Sequence, residues 1–148
     1  MKISTKGRYG LRIMLDLAMN ENGEPRLIRD IAHSQQISEK YISRLIIALR
    51  RSGMVRSIRG AKGGFRMNRN PDKVTLLDIV EAMEGPLAIV NCVKSPAKCL
   101  RNGECAAREI WNRVNVDIRA AMAKITLQEI MDIYRLYNAA DDILDYCI

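Results

Sequence analysis

The spacing of apolar residues predicts a chain built mainly of helices. Between residues 27 and 52, apolar positions recur at helical intervals in two blocks, which a polar break at 34–37 separates. Ser38 stands where an N-cap belongs, and Gly53 stands where the second helix must end. The predicted buried stripe of the second helix is Ile42, Leu45, Ile46 and Leu49. The pattern therefore predicts two consecutive helices joined by a short turn.

A strand-like run and a glycine-rich turn follow the second helix. Residues 54–58 predict a strand, 59–64 a basic turn, and 65–67 a return strand. Two helices and a basic hairpin are typical of a winged helix-turn-helix, whose second helix enters the major groove of DNA. Taken alone, the turn fits a plain hairpin loop as well as a DNA-binding wing.

Four further helices are expected around this unit. The first covers about residues 5–19, with Leu11, Met14, Leu15 and Ala18 as its core stripe. A capping box at Thr75 opens a helix to about Glu84, and a second at Thr126 opens one toward Tyr137.

A long amphipathic helix is predicted between these last two. It covers about residues 104–123, with an apolar side formed by Ala107, Ile110, Val114, Ile118, Ala121 and Met122. The expected organisation is a winged helix-turn-helix domain over 1–85, a cysteine-bearing loop over 86–105, and a dimerisation helix with a C-terminal segment over 104–148.

The charge of the chain is concentrated in its first half. The 148 residues carry a net +7, but residues 1–75 hold 16 Lys and Arg against 6 Asp and Glu, whereas 76–148 hold 8 against 11. This asymmetry indicates a polyanionic partner for the first half, and a solvated basic surface without a partner is the alternative. The coincidence with the helix-turn-helix favours double-stranded DNA.

The candidate DNA contacts are mostly basic or small polar residues, with one tyrosine and one glycine, at the first helix, the second helix of the motif and the wing. Arg and Lys can donate to guanine or phosphate oxygens, and an Arg on a thin hairpin suits a narrow minor groove. The predicted set is Lys6, Ser38, Lys40, Tyr41, Ser43, Arg44, Arg50, Arg51, Arg59, Gly60 and Lys62.

Three of the four cysteines lie close together in the chain. Six residues separate Cys92 from Cys99, and five separate Cys99 from Cys105, whereas Cys147 stands alone near the end. Three thiolates on one loop can hold an iron–sulfur cluster, but the spacing matches neither a zinc knuckle nor the common ferredoxin patterns. The spacing alone leaves a cluster, a zinc site, a redox switch and no function open.

Several segments resemble the Rrf-type bacterial transcription regulators along essentially the whole chain. The matching segments are 1–10, 37–41, 49–53, 55–60, 63–65 and 125–127. The resemblance implies a homodimeric winged-helix repressor or activator whose helix near 104–123 forms the dimer interface. It also implies that Cys92, Cys99 and Cys105 bind an iron–sulfur cluster, a 2Fe-2S cluster in preference to a 4Fe-4S cluster, in the members that carry them. The alternative is a cluster-free regulator of cysteine or sulfur metabolism, controlled by a partner protein or a thiol switch.

The chain departs from the family pattern at the fourth cluster ligand. The iron–sulfur regulators of the family place a His three residues after the third cysteine, where this chain has Arg108, and the nitric-oxide sensors can use an Asp where it has Arg8. The open candidates for the fourth ligand are Glu104, Glu109, Cys147 and an external group.

Enzymatic and membrane functions are not expected. The chain has one histidine, His33, and no recognisable catalytic motif. It has no run of 18 apolar residues and no signal peptide, so we expect a cytoplasmic protein.

Overall fold

The computed structural model describes residues 3–20, 23–99, 101 and 104–145, with side chains as far as residue 139. Most of these residues are helical, and a single β-hairpin is present among them. The helices are α1 (Thr5–Met19), α2 (Ile28–Gln35), α3 (Glu39–Arg51), α4 (Leu76–Glu84), α5 (Asn91–Lys94), α6 (Ala106–Lys124) and α7 (Leu127–Asp145). The strands are β1 (Val55–Ile58) and β2 (Gly64–Met67), and 3-10 turns cover Pro71–Lys73 and Pro96–Lys98. The predicted fold class, a mainly helical winged helix-turn-helix, is confirmed.

Helix α1 lies at the centre of the molecule and contacts α2, α3, α4, α7 and β2. Its side toward the core buries Ile13, Met14 and Leu17. Gly10 lets α4 approach closely, since a Cβ atom added there would lie 2.6 Å from the Cγ atom of Met83. The packing of α1 on α4 therefore depends on the absence of a side chain at this position.

The predicted core stripe of α1 was wrong in phase. Met14 is fully buried as expected, but Leu11, Leu15 and Ala18 are only partly buried at the margin of the core. The stripe is rotated toward Ile13 and Leu17 because α4 packs against the glycine side of α1.

The helix-turn-helix agrees closely with the sequence pattern. The whole stripe predicted for α3 is buried, and the Oγ atom of Ser38 accepts a hydrogen bond from the backbone N–H of Tyr41 at 3.4 Å. Helix α2 begins one residue later than expected and ends two residues later, at Gln35. Gln36 then reverses the chain with φ 53°, a left-handed conformation that is uncommon outside glycine.

The hairpin is held to the helices by a third extended segment. Strands β1 and β2 are antiparallel, and Val55 pairs with Met67 and Ile58 with Gly64. Arg26, just before α2, forms a further bridge with Phe65 through two backbone hydrogen bonds of 2.8 Å. The position of the wing is therefore set by the segment that leads into α2.

The cysteine-bearing segment is more regular than the extended loop that was expected, because it contains α5 and a 3-10 turn. Helix α6 follows near its predicted bounds. Helix α7 continues beyond Tyr137 to Asp145, and the backbone N–H of Leu127 donates to the carbonyl of Val74 at 2.8 Å. Among the residues described, no helix is both long and apolar enough to cross a membrane.

Candidate nucleic-acid interface and cysteine segment

One side of α3 packs in the core, and several residues predicted to contact DNA are exposed on the other side. Lys40, Arg44, Arg50 and Arg51 are all exposed. Lys40 and Arg44 share a shallow depression of about 360 Å³ with Ser38 and Tyr41. The structure therefore brings four of the predicted residues together at the amino-terminal half of α3, the part of a recognition helix that faces base edges.

Two of the predicted contacts on α3 are engaged within the protein. The ring of Tyr41 meets the ring of Tyr9 edge to face, with centroids 5.9 Å apart and an interplanar angle of 76°. The guanidinium of Arg12 lies 5.4 Å from the centroid of the Tyr9 ring. The hydroxyl of Ser43 donates to the carbonyl of Glu39 at 2.8 Å. The Tyr41 side chain therefore connects α3 to α1, and this contact reduces the freedom of that side chain to reach DNA.

The tip of the wing presents a second basic surface. Arg59, Gly60 and Lys62 are exposed, and Gly60 has φ 106°, a conformation that a side chain would strain. Lys6 is exposed near the start of α1. Whether these residues contact DNA stays a prediction.

A buried carboxylate that the sequence analysis missed joins α1 to the wing. Asp16 on α1 accepts from the Nε and Nη2 atoms of Arg26 at 3.0 and 3.1 Å. It also accepts from the Ser34 hydroxyl and, at 3.1 Å, from the side-chain amide of Gln35. Because the backbone of Arg26 pairs with Phe65 of β2, Asp16 positions the wing relative to α1 and α2. The isolated Asp of α1 gave no periodic signal in the sequence.

The three clustered cysteines lie on successive turns of one segment. Cys92 is in α5, Cys99 ends the 3-10 turn, and Cys105 is the N-cap of α6; all three are half-buried thiols. Within the part of the chain that the structure describes, no three His, Cys, Asp or Glu side chains converge closely enough to hold a metal ion. The thiols suit an iron–sulfur cluster in kind, but the ligand set is not assembled in this conformation.

The surroundings of Cys92 bear on the missing fourth ligand. Cys92, Arg108 and Glu109 line one cavity of about 240 Å³, and the carboxylate of Glu109 pairs with the Nε atom of Arg113 at 3.3 Å. Glu104 is exposed, and Cys147 lies outside the described residues. Among the candidates that the structure describes, Glu109 shares a cavity with a clustered cysteine.

Polar contacts connect the start of the cysteine segment to α4 and α6. Asn115, the buried polar residue of α6, accepts from the backbone N–H of Ile89 at 3.1 Å and donates to the carbonyl of Leu87. Glu81 of α4 accepts from the backbone N–H of Leu87 at 2.9 Å and forms an ion pair with Arg119 of α6. The segment is therefore attached to α4, which packs directly on α1.

Comparison with known proteins agrees with this architecture. Residues 3–133 match the family model described as "Rrf2: Iron-dependent Transcriptional regulator". The chain belongs to the Rrf2 family. Its relatives in this family are transcriptional regulators, which bind DNA and are not enzymes.

Two of the regulators that resemble the chain over most of its length are CymR and IscR. The regulator CymR of Bacillus subtilis is 40% identical over 130 residues, which is 88% of this chain and 89% of CymR. The solved structure of B. subtilis CymR, described as the global cysteine regulator, gives a TM-score of 0.75 at 38% identity over 90% of this chain and 98% of that one. The solved structure of T. potens IscR gives a TM-score of 0.72 at 32% identity, over 90% of this chain and 88% of that one.

The Asp16 interaction generates a test of how this Rrf2 chain holds its wing. The Asp16 side chain is 5% exposed, so Asp16→Ala leaves the Arg26 guanidinium without its carboxylate and should lower the free energy of unfolding by about 3 kcal/mol. Denaturant titration measures this change. The control Asp72→Ala removes an exposed pair with Lys73 and should cost less than about 1 kcal/mol. Equal losses in the two variants would contradict the assigned role.

Proposed function

We propose that this Rrf2-family regulator binds double-stranded DNA as a homodimer, with α3 in the major groove and the wing against the adjoining minor groove. The observation that carries the proposal is the depression lined by Ser38, Lys40, Tyr41 and Arg44 on the exposed side of α3. The two Arg residues at the end of α3 and the basic residues of the wing tip are also exposed. A protein that acts on bacterial DNA is expected in the cytoplasm.

The proposed contacts divide into two kinds. Lys40 and Arg44 lie early in α3, where side chains reach base edges, so they would discriminate between sequences. Lys6, Arg50, Arg51 and Lys62 are exposed cations that would neutralise phosphates without reading sequence. Arg59 would enter a narrow minor groove beside the recognised bases.

DNA titrations over a series of salt concentrations test this assignment. The logarithm of the binding constant should fall linearly with the logarithm of the salt concentration, by about 0.9 per phosphate neutralised.

Arg44→Ala should weaken the free energy of binding to the operator by about 1–3 kcal/mol and change binding to unrelated DNA little. Arg59→Ala should weaken binding most where the flanking sequence narrows the minor groove. The control Lys124→Ala, at the end of α6, should bind as the parent does. Binding that does not depend on salt would exclude the proposed interface.

The homodimer is proposed from the exposed apolar side of α6. Ile110 is 55% exposed and Val114 is 38% exposed on the single chain, and Trp111 and Val116 are also exposed. Asn115 is the buried residue of this 19-residue helix. A helix with so little contact to its own chain is explained if α6 packs against α6 of a second copy across a twofold axis.

Sedimentation of a double variant tests the dimer. Ile110→Asp together with Val114→Asp places two charges on the proposed seam, so the protein should sediment as a monomer, whereas the parent should sediment as a dimer at micromolar concentration. Both side chains are exposed on the single chain, so circular dichroism should show nearly unchanged helix content. A parent protein that sediments only as a monomer would refute this interface.

For the sensed signal, we propose that Cys92, Cys99 and Cys105 hold an iron–sulfur cluster. Support comes from three half-buried thiols on one segment, the iron-dependent description of the family, and the similarity to IscR. Because the three thiols do not converge in this conformation, the segment would have to close around the cluster as it binds, which couples cluster binding to the folding of the segment. Cluster chemistry would supply sensitivity to iron, sulfide or oxidants.

Contacts around the cysteine segment would couple a change at the thiols to the position of the proposed DNA-binding elements. Closure of the segment would pull on Leu87 and Ile89, whose backbones are held by Glu81 and Asn115. Glu81 belongs to α4, and α4 packs on α1, which supports α3. Movement of the cysteine segment would thus change how α3 and the wing are presented, provided that the two arrangements bind the cluster with different affinity.

A cluster-free regulator of cysteine or sulfur metabolism, controlled by a thiol switch or a partner protein, is the second candidate. It is favoured by the 40% identity to CymR and by the presence of Arg108 where a fourth ligand would be needed. In that case Cys92, Cys99 and Cys105 would act as free thiols or have no role in sensing.

Anaerobic purification with iron and sulfide analysis distinguishes the two candidates. For the cluster, we expect a brown protein that bleaches in air, and a colourless Cys99→Ala variant. The control Ser95→Ala changes the same segment without removing a thiol and should remain brown. Protein that stays colourless and binds no iron after reconstitution would favour the cluster-free regulator.

A further inference from the structure

A basic cavity lies at the base of the wing, away from the depression on α3. Its volume is about 400 Å³, which is large enough for a small metabolite. Arg56 of β1, Arg66 of β2 and Arg69 of the following loop line it, together with residues at the end of α1. None of these three arginines belongs to the DNA contacts proposed above.

The pairing of the two strands forces two of these cations together. Arg56 and Arg66 are direct cross-strand partners in the antiparallel hairpin. Like charges directly opposite each other destabilise a strand pair, because their side chains leave the sheet on the same side. The hairpin therefore carries a repulsion that a bound anion would relieve.

The chain itself supplies no neutralising contact among its described residues. Glu24 also lines the cavity, but no ion pair or side-chain hydrogen bond joins a described acidic residue to Arg56, Arg66 or Arg69. Arg26, by contrast, is fully paired with Asp16 nearby. Three arginines therefore converge on one cavity without a partner among the described residues, which marks a place where an external anion can be bound.

We propose that this cavity is an oxyanion-binding site, in which Arg56, Arg66 and Arg69 bind the phosphate or carboxylate group of a ligand. Guanidinium groups bind such groups through paired N–H donors with a geometry that lysine cannot offer. The oxyanion has two sources, a free small anion or a phosphate of the DNA backbone. In either case it would brace the wing against the end of α1. The DNA source rests on the function proposed above, whereas the free-anion source does not.

Thermal unfolding of the full chain in phosphate or chloride at equal ionic strength tests the site. The parent protein should show a saturable rise in melting temperature with inorganic phosphate. Arg66→Gln should melt higher than the parent without phosphate, because the repulsion with Arg56 is gone, and should bind phosphate about tenfold more weakly. The control Lys124→Gln removes the same charge from α6 and should behave like the parent.

DNA titrations of the same variants separate the two sources. If a DNA phosphate occupies the cavity, Arg66→Gln should reduce the salt dependence by about 0.9, and DNA should displace inorganic phosphate. If a free anion occupies it, the salt dependence should be unchanged and phosphate should still bind to the DNA complex. A parent protein that binds no DNA would refute the proposed function but leave the phosphate result intact. The proposed site would be overturned if phosphate stabilised the parent and Arg66→Gln equally and if Arg66→Gln also left the salt dependence of DNA binding unchanged.

Discussion

The structure depends on the burial of α1 among the elements that surround it. Ile13 and Met14 are fully inaccessible to solvent, and α1 contacts the helix-turn-helix, β2, α4 and α7. Burying an apolar side chain of this size contributes roughly 1.5–3 kcal/mol. Since one helix supports both the DNA-binding elements and α4, the orientation of α3 cannot change without a response in the packing around α1.

The polar contacts of the molecule follow the same arrangement. Asp16 lies on one side of α1 and holds Arg26 and, through it, the wing. At the start of α1, the backbone N–H of Ser4 donates to the carboxylate of Glu84 at 2.9 Å and so connects α1 to the end of α4. The two carboxylates join α1 to the wing and to the helix that precedes the cysteine segment. The apolar core supplies stability, and these contacts determine relative position.

The sequence predicted the elements whose signals are local. The stripe and N-cap of α3 and the Thr75 capping box with Asp78 were all correct, because each depends on residues within one or two helical turns. The phase of the α1 stripe was wrong because α4, distant in sequence, selects the side that is buried. The Asp16 network was missed for the same reason, since its partners lie 10 to 19 residues away, in α2 and in the segment before it. For the site, the basic residues predicted on α3 and at the wing tip are exposed, and their contact with DNA stays a prediction. The sequence could not show that Tyr41 packs against Tyr9.

The exposed side of α6 has a thermodynamic consequence for the whole protein. If the native state is a dimer, its unfolding releases two chains, and the melting temperature then rises with protein concentration. Dilution would weaken the fold around α6 and the paired presentation of the two α3 helices together. For such a dimer, a fall in the number of copies in the cell would lower both the fraction of the regulator that is folded and the occupancy of its operator.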